Sequence, residues 1–186
     1  MADIDLLLAF LNSREAEPVP RDHFATGVGF RTWMRSHAGP DVESTTAEED
    51  AREARRLRAA MLAYLANRNS PDERTLAALN RACTVAPLCV HLDGGGQIVL
   101  KAETDSPRSF FSHIVGTLYD AAREGTLDRI KACADAQCFY AYFDNSKNRS
   151  RVWCDMGTCG SRNKVRAFRE RQRTAATSAE LGGGNT

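Results

Sequence analysis

Four cysteines between residues 133 and 159 are the residues best suited to chemistry in this sequence. They form two C-x4-C pairs, Cys133/Cys138 and Cys154/Cys159, with fifteen residues between the pairs. Two close thiol pairs on a short arm can offer four thiolates to the tetrahedral corners of a zinc ion. Four thiolates close the coordination shell and leave no position for water, so the expected role is structural and not catalytic. One C-x4-C alone is a weak signal, because most zinc ribbons use C-x2-C; two copies flanking one arm are a stronger one. The competing readings are a redox-sensing version of the same site and four unligated cysteines in a small core.

Basic residues surround the cysteines. The arm holds Lys147, Asn148, Arg149, Ser150 and Arg151, the composition of a phosphate-contacting loop. After Cys159, residues 161–173 are expected to form a helix carrying Arg162, Lys164, Arg166, Arg169, Arg171 and Arg173, with Val165 and Phe168 turned inward and only Glu170 opposing the charge. Such a helix suits a DNA major groove or a row of phosphates. The aromatic run Phe139–Phe143 is read as a short strand whose rings pack over the site, with base stacking as the alternative. Residues 1–125 hold 14 Lys and Arg against 18 Asp and Glu, whereas residues 126–186 hold 11 against 6. That asymmetry points to a polyanionic partner for the C-terminal part. Four thiolates around Zn²⁺ contribute a charge of −2, so the basic surface must be local.

The elements in front of this segment must position it. Residues 3–13 predict a short helix with Ile4, Leu7, Leu8 and Leu11 on one face. Pro18 and Pro20 break the chain, and a helix around Phe24, Val28 and Trp33 ends at Gly39-Pro40. Residues 45–67 give the clearest helix, with capping-box spacing at Thr45/Glu48 and Thr46/Glu49 and apolar positions at Ala54, Leu57, Met61, Tyr64 and Leu65. Arg52, Arg55, Arg56 and Arg58 are read as a solvated face balanced by Glu48, Glu49, Asp50 and Glu53. Ser70-Pro71 starts a helix running to about Ala82, with Ser70 as its cap and Glu73 three residues on. Two β-rich runs around Asp93–Gly96 predict a hairpin. Ser106-Pro107 opens a helix to about residue 124 with Phe110, Phe111, Ile114, Val115 and Leu118 inward, stopped by Gly125. Thr126 is placed as the cap of a short helix, Leu127–Ala132, that delivers Cys133. Residues 175–186, small, polar and glycine-rich, predict a disordered tail.

Other reactive residues have simpler readings. Cys83 and Cys89, beside His91, are read as small buried hydrophobes. His113 lies beside an apolar face with no acid or nucleophile motif nearby, so it is read as structural. No P-loop, dinucleotide fingerprint or deaminase signature is present, and no enzyme activity is expected. At 42% hydrophobic and 26% charged residues the composition is that of a soluble globular protein. The absence of an apolar run of about eighteen residues predicts no membrane span. The acidic start, unlike a signal peptide, predicts a cytoplasmic protein whose thiols stay reduced.

The pattern C-x4-C, then DNSKNRSRVWC, then C-G-x-R before a basic helix resembles the CGNR-type zinc finger over about residues 126–173. That finger closes bacterial proteins whose N-terminal domain is described as a stress-induced transcription regulator (the ABATE domain), and the opening DLLLAFLNSRE is similar to the start of that family. The resemblance implies a zinc site at Cys133, Cys138, Cys154 and Cys159 and a DNA-binding role for the basic residues. Position 161 departs from the tetrad: Ser161 stands where the family has Asn. Serine can still cap a helix but cannot make the two-point contact to adenine. The expected architecture is α+β: a mostly helical N-terminal domain with a β-hairpin over 1–125, a small four-cysteine zinc finger over 126–174, and the tail. The expected activity is DNA-binding transcription regulation, with the N-terminal domain sensing a ligand or dimerising; the alternative is a zinc-stabilised RNA-binding or protein-interaction module. One basic helix reads only a few base pairs, so a homodimer is expected, although nothing in the chain marks a dimer face.

Overall fold

The computed structural model describes residues 3–15, 20–37, 47–102, 108–138 and 140–182, with side chains to Thr174. Pro18, Gly39-Pro40, Thr45, Thr46, Ser106-Pro107, Phe139 and residues 183–186 lie outside that set, and the readings placed on them with them. The fold is α+β, mostly helical with small antiparallel hairpins. No described helix is long and apolar enough to cross a membrane.

Helix α1 (Ile4–Leu11) is capped by the Asp3 carboxylate, which accepts from Leu6 N–H, and buries Leu7, Phe10 and Leu11. A two-residue hairpin, β1 (Arg14–Glu15) with β2 (Arg21–Asp22), leads into α2 (Gly27–His37). α2 is tight against the turn before it. A Cβ on Gly29 would lie 2.4 Å from the His23 carbonyl oxygen, which only glycine avoids. α2 buries Phe30, Trp33 and Met34 and leaves Val28 exposed.

The central helix α3 (Ala47–Ala66) follows its predicted periodicity: Ala54, Leu57, Met61 and Leu65 are all buried. Its arginines do not form one solvated face. Arg56 does, pairing with Glu53 at the surface. Arg58 turns inward, donating to Asp22 at 2.6 and 3.0 Å and to Ser13 Oγ at 2.7 Å beneath the Phe24 ring. Arg55 donates to the Phe24 carbonyl. Charge type predicts exposure, but a carboxylate 36 residues away makes burial affordable for Arg58. Asp50 is also buried, and Glu48 accepts from Gly27 N–H at the start of α2.

Helix α4 (Glu73–Cys83) is capped by Asp72 and not by Ser70. A carboxylate at a helix N-terminus also gains from the dipole, which favours Asp72. The hairpin β3 (Leu88–Leu92) with β4 (Ile98–Ala102) forms as predicted, pairing Val90 with Leu100 and Leu92 with Ile98. Helix α5 (Ser109–Arg123) buries Phe110, Phe111 and Ile114 and ends at Gly125, whose φ of 69° is the left-handed stop that glycine permits. The core is an aromatic cluster in which Phe10, Phe24, Phe30, Trp33, Phe110 and Phe111 meet at centroid distances of 5.2–6.4 Å.

The segment 127–132 is not a helix. It is a single 3-10 turn, Leu127–Arg129, followed by β5 (Ile130–Ala132), which pairs with β6 (Ala141–Phe143). Thr126 makes no side-chain cap; its hydroxyl donates to Ala121 O. Burial decides this: Ile130 and Ala141 are fully buried in the same core as α1 and α3. Asn12 Oδ1 accepts from Ala141 N–H at 2.7 Å and its amide donates to Ala141 O at 2.9 Å, so the side chain at the C-terminal end of α1 completes the free edge of β6. The cysteine-bearing region therefore grows out of the N-terminal core. A π-helical turn, Met156–Gly160, runs directly into α6 (Ser161–Gly182). α6 continues past residue 174, where disorder was expected, because Ala175, Ala176, Ala179, Glu180 and Leu181 favour helix and no glycine intervenes before Gly182.

Candidate metal centre and basic surface

Cys133 follows β5, Cys138 closes the next turn, Cys154 follows the arm and Cys159 lies in the π turn. Local hydrogen bonds set these positions: Cys133 N–H donates to Tyr140 O, Cys138 N–H to Asp135 O, and Ala134 N–H to Val152 O. The π turn is started by Asp155, whose carboxylate accepts from Thr158 N–H at 2.6 Å. Capping thus falls to Asp155 and not to position 161: Ser161 has ordinary helical angles, and Asn163 donates to Cys159 O. A Cβ on Gly160 would meet Met156 Sδ at 2.6 Å, a contact that the exposed Met156 side chain can relieve by turning away. Neither Gly157 nor Gly160 has a positive φ.

The four Sγ atoms lie within 4.8 Å of one another. Cys138–Cys154 and Cys154–Cys159 are each 3.7 Å apart. A tetrahedron with metal–sulfur bonds of about 2.3 Å has edges of about 3.8 Å. The donor set therefore has the size and softness of a four-thiolate metal site. The thiols of Cys133, Cys154 and Cys159 do not ionise equally. Burial and the neighbouring thiols push the Cys154 thiol up to about 12 and Cys159 further still. At Cys133 burial also opposes ionisation, but backbone N–H groups of Cys154 and Asp135 bring it below the ordinary thiol value. Four thiolates this close need a cation among them. Cys83 and Cys89 stand apart from the cluster. Cys83 is half-buried, and its burial raises its pKa; Cys89 is exposed because only one end of the β3–β4 hairpin is covered. His113 is exposed, 3.8 Å from Asp3.

Two carboxylates that the sequence reading missed organise the basic residues. Asp135, fully buried, lies 3.6 Å from Arg162 Nε and 3.8 Å from Arg166. These two arginines face the metal-bearing turn and anchor α6. Asp144, also fully buried, accepts from Lys131 Nζ at 2.7 Å, Ser146 N–H at 2.9 Å and Arg151 N–H at 3.0 Å. Burial opposes its charge, but these donors hold its carboxyl well below the usual range. Lys131 also donates to the Arg149 and Arg151 carbonyls, so the arm is wrapped around one buried ion pair. Arg151 stacks on Tyr142, 4.9 Å from the ring centroid, and donates to Cys154 O. Burial and nearby Asp144 raise the Tyr142 hydroxyl to about 12, so it stays a donor, to Arg151 O. The available signal was composition: Asp128, Asp135, Asp144 and Asp155 are the only acidic residues from 126 to 169.

The remaining predicted contacts are exposed. Lys147 and Arg149 lie on the arm, and every side chain from Lys164 to Thr174 is open to solvent, including Lys164, Arg169, Arg171 and Arg173. Val165 and Phe168 are exposed too, at 48% and 53%. They were expected to pack inward, but α6 is anchored by its first turns and no described surface covers these two.

The family described as "Putative stress-induced transcription regulator" (ABATE) matches residues 5–134. The chain belongs to the ABATE family. The CGNR zinc finger family matches residues 129–172, the segment that carries all four cysteines. No curated protein shows significant similarity to the chain. The two matches share residues 129–134, and β5 lies in that overlap, so the ABATE domain and the finger share a strand.

Proposed function

We propose that this ABATE-family protein is a DNA-binding transcription regulator whose C-terminal finger is held by a structural zinc ion. Cys133, Cys138, Cys154 and Cys159 would hold the ion, which supplies cross-linking and no reactive position. Zinc suits an all-thiolate tetrahedral set better than the oxygen-seeking cations do. We read the protein as a non-enzyme on that closed donor set and on the lack of a nucleophile–base pair in the sequence.

The observation that carries the DNA reading is α6. It starts at the cysteine cluster, is clamped at its root through Arg162 and Arg166, and exposes Lys164, Arg169, Arg171 and Arg173, with Glu170 the one acid between residues 161 and 173. A rigidly rooted, solvent-facing basic helix is suited to a groove or to phosphates. The exposed pair Val165 and Phe168 favours a second reading, a protein-interaction helix.

Fluorescence anisotropy with duplex DNA across 50–200 mM salt separates the two. On the DNA reading, affinity falls steeply with salt, and Arg169→Ala lowers the slope by about 0.9 without changing the melting temperature. Duplex binding that is absent at 50 mM salt rules the DNA reading out. Metal analysis of the purified protein should give about one zinc per chain.

A further inference from the structure

The loop between α3 and α4 faces the arm of the finger across a cleft of about 490 Å³. Asn69 and Ser70 line the loop side; Lys131, Arg149, Ser150 and Arg151 line the finger side. With Arg68, four cations line this cleft and no carboxylate does. The acids that touch these cations are Asp144, buried behind Lys131, and Asp128, 3.7 Å from Arg68 and 3.8 Å from Arg149. Setting those two against the four leaves two cations in excess among the lining side chains and their ion-pair partners. Two other clefts among the described residues lack this bias. The one of about 400 Å³ beside the cysteines opposes Arg14 and Arg162 with Glu15 and Asp155, and one of about 600 Å³ is walled largely by alanines.

Two further features show a built surface. Arg149 has a φ of 51°, the left-handed region that a residue with a long side chain rarely enters. Lys131 holds it there through the Arg149 carbonyl, and such held strain is found where a side chain must be aimed. Across the cleft, Asn69 and Ser70 are exposed, and among the described residues neither side chain has a hydrogen-bond partner. Hydroxyl, amide and guanidinium groups around one cleft are the donors that phosphate oxygens accept from.

We infer that this cleft holds a backbone phosphate of the bound DNA, so that the ABATE domain, through Asn69 and Ser70, and the finger, through Arg149–Arg151, grip one strand together. This rests on the DNA reading and extends the interface into the N-terminal domain.

The test uses the full-length, zinc-loaded protein and anisotropy with duplex DNA at 50 mM salt. Asn69→Asp puts a like charge against the phosphate and should weaken binding at least about tenfold. Asn69→Lys should tighten it several-fold, which a folding defect cannot do. Arg169→Ala, on α6 and outside the cleft, serves as the control. If Arg169→Ala weakens binding but both Asn69 variants bind like the parent protein, the cleft assignment is wrong and the DNA reading stands. If the parent protein does not bind duplex DNA, the DNA reading fails and the cleft assignment with it. Inorganic phosphate and a nucleoside monophosphate form a separate arm, read by thermal shift. Stabilisation that Asn69→Asp abolishes while duplex affinity is unchanged would assign the cleft to a free phosphate ligand and overturn the strand.

Discussion

Replacing Asn12 with alanine removes both hydrogen bonds that join α1 to β6. Ala141 is fully buried, so its N–H and C=O cannot turn to water. A hydrogen bond is worth about 1 kcal/mol net, but each buried group left unpaired costs about 1–3 kcal/mol. Two orphaned groups, eased by some water entering the space left by the side chain, put the loss at about 2–4 kcal/mol. For a chain of this length each kcal/mol moves the melting temperature by about 2–4 °C, so a fall of about 5–15 °C is expected. The two tryptophans make the assay specific. Trp33 lies in the N-terminal aromatic core, and Trp153 directly precedes Cys154. Urea unfolding of the Trp33→Phe and Trp153→Phe variants therefore reports each part separately. In the parent background the two transitions should coincide, because Ile130 and Ala141 belong to the core beneath both. With Asn12→Ala added, the Trp153 transition should move to lower urea first. A loss below about 0.5 kcal/mol with coincident transitions would refute the claim that this side chain joins the finger to the domain.

Two other perturbations follow from the same structure. Burial opposes the charge on Asp22, but Arg58 and the Phe24 N–H outweigh it and hold its carboxyl below the ordinary value. A lowered carboxylate contributes stability above its unfolded pKa of about 3.9, and that stability is lost as pH falls through the lower folded value. Urea midpoints measured from pH 7 to pH 3 should therefore drop more steeply for the parent protein than for Asp22→Asn; parallel curves would remove the pair from the acid response. Metal chelation should release amide protection from the arm through the π turn, residues 144–160, while β5 and β6 stay protected because the N-terminal core holds them. Hydrogen exchange reads this directly, and loss of protection throughout the chain, or none anywhere, contradicts it.

What could be read from sequence was local. The cysteine spacing was enough to find the cluster, since each pair is closed by its own short turn. The period of Ala54, Leu57, Met61 and Leu65 was enough to find α3, since one wide face of that helix is buried. The β3–β4 hairpin and the stop at Gly125 were legible for the same reason. The misses were long-range. Three residues, Ile130–Ala132, carry no periodicity, and only β6 and the core beyond it make them a strand. Arg58 reads as a surface residue until Asp22 is brought to it. Lys131 and Asp144, thirteen residues apart, carry no motif, yet they shape the arm on which Arg149 and Arg151 depend. Val165 and Phe168 show the opposite error: an amphipathic pattern implies a partner surface, and no described element of this chain provides one.

The shared strand changes how this chain can be cut or recombined. A boundary at residues 125–126 looks natural, because α5 stops there and the basic region begins. Yet a fragment ending at residue 125 would lose Ile130 and Ala141 from its core, leave Asn12 without its strand, and expose apolar surface on α1 and α3. A fragment that keeps the core intact must run through Phe143, inside the finger and short of its second cysteine pair. The finger is thus not a cassette that can be moved between proteins by joining ends at a linker. It can be inherited only with a partner that presents a matching socket, so exchanges between relatives should succeed where α1, α3 and β5–β6 travel as one unit.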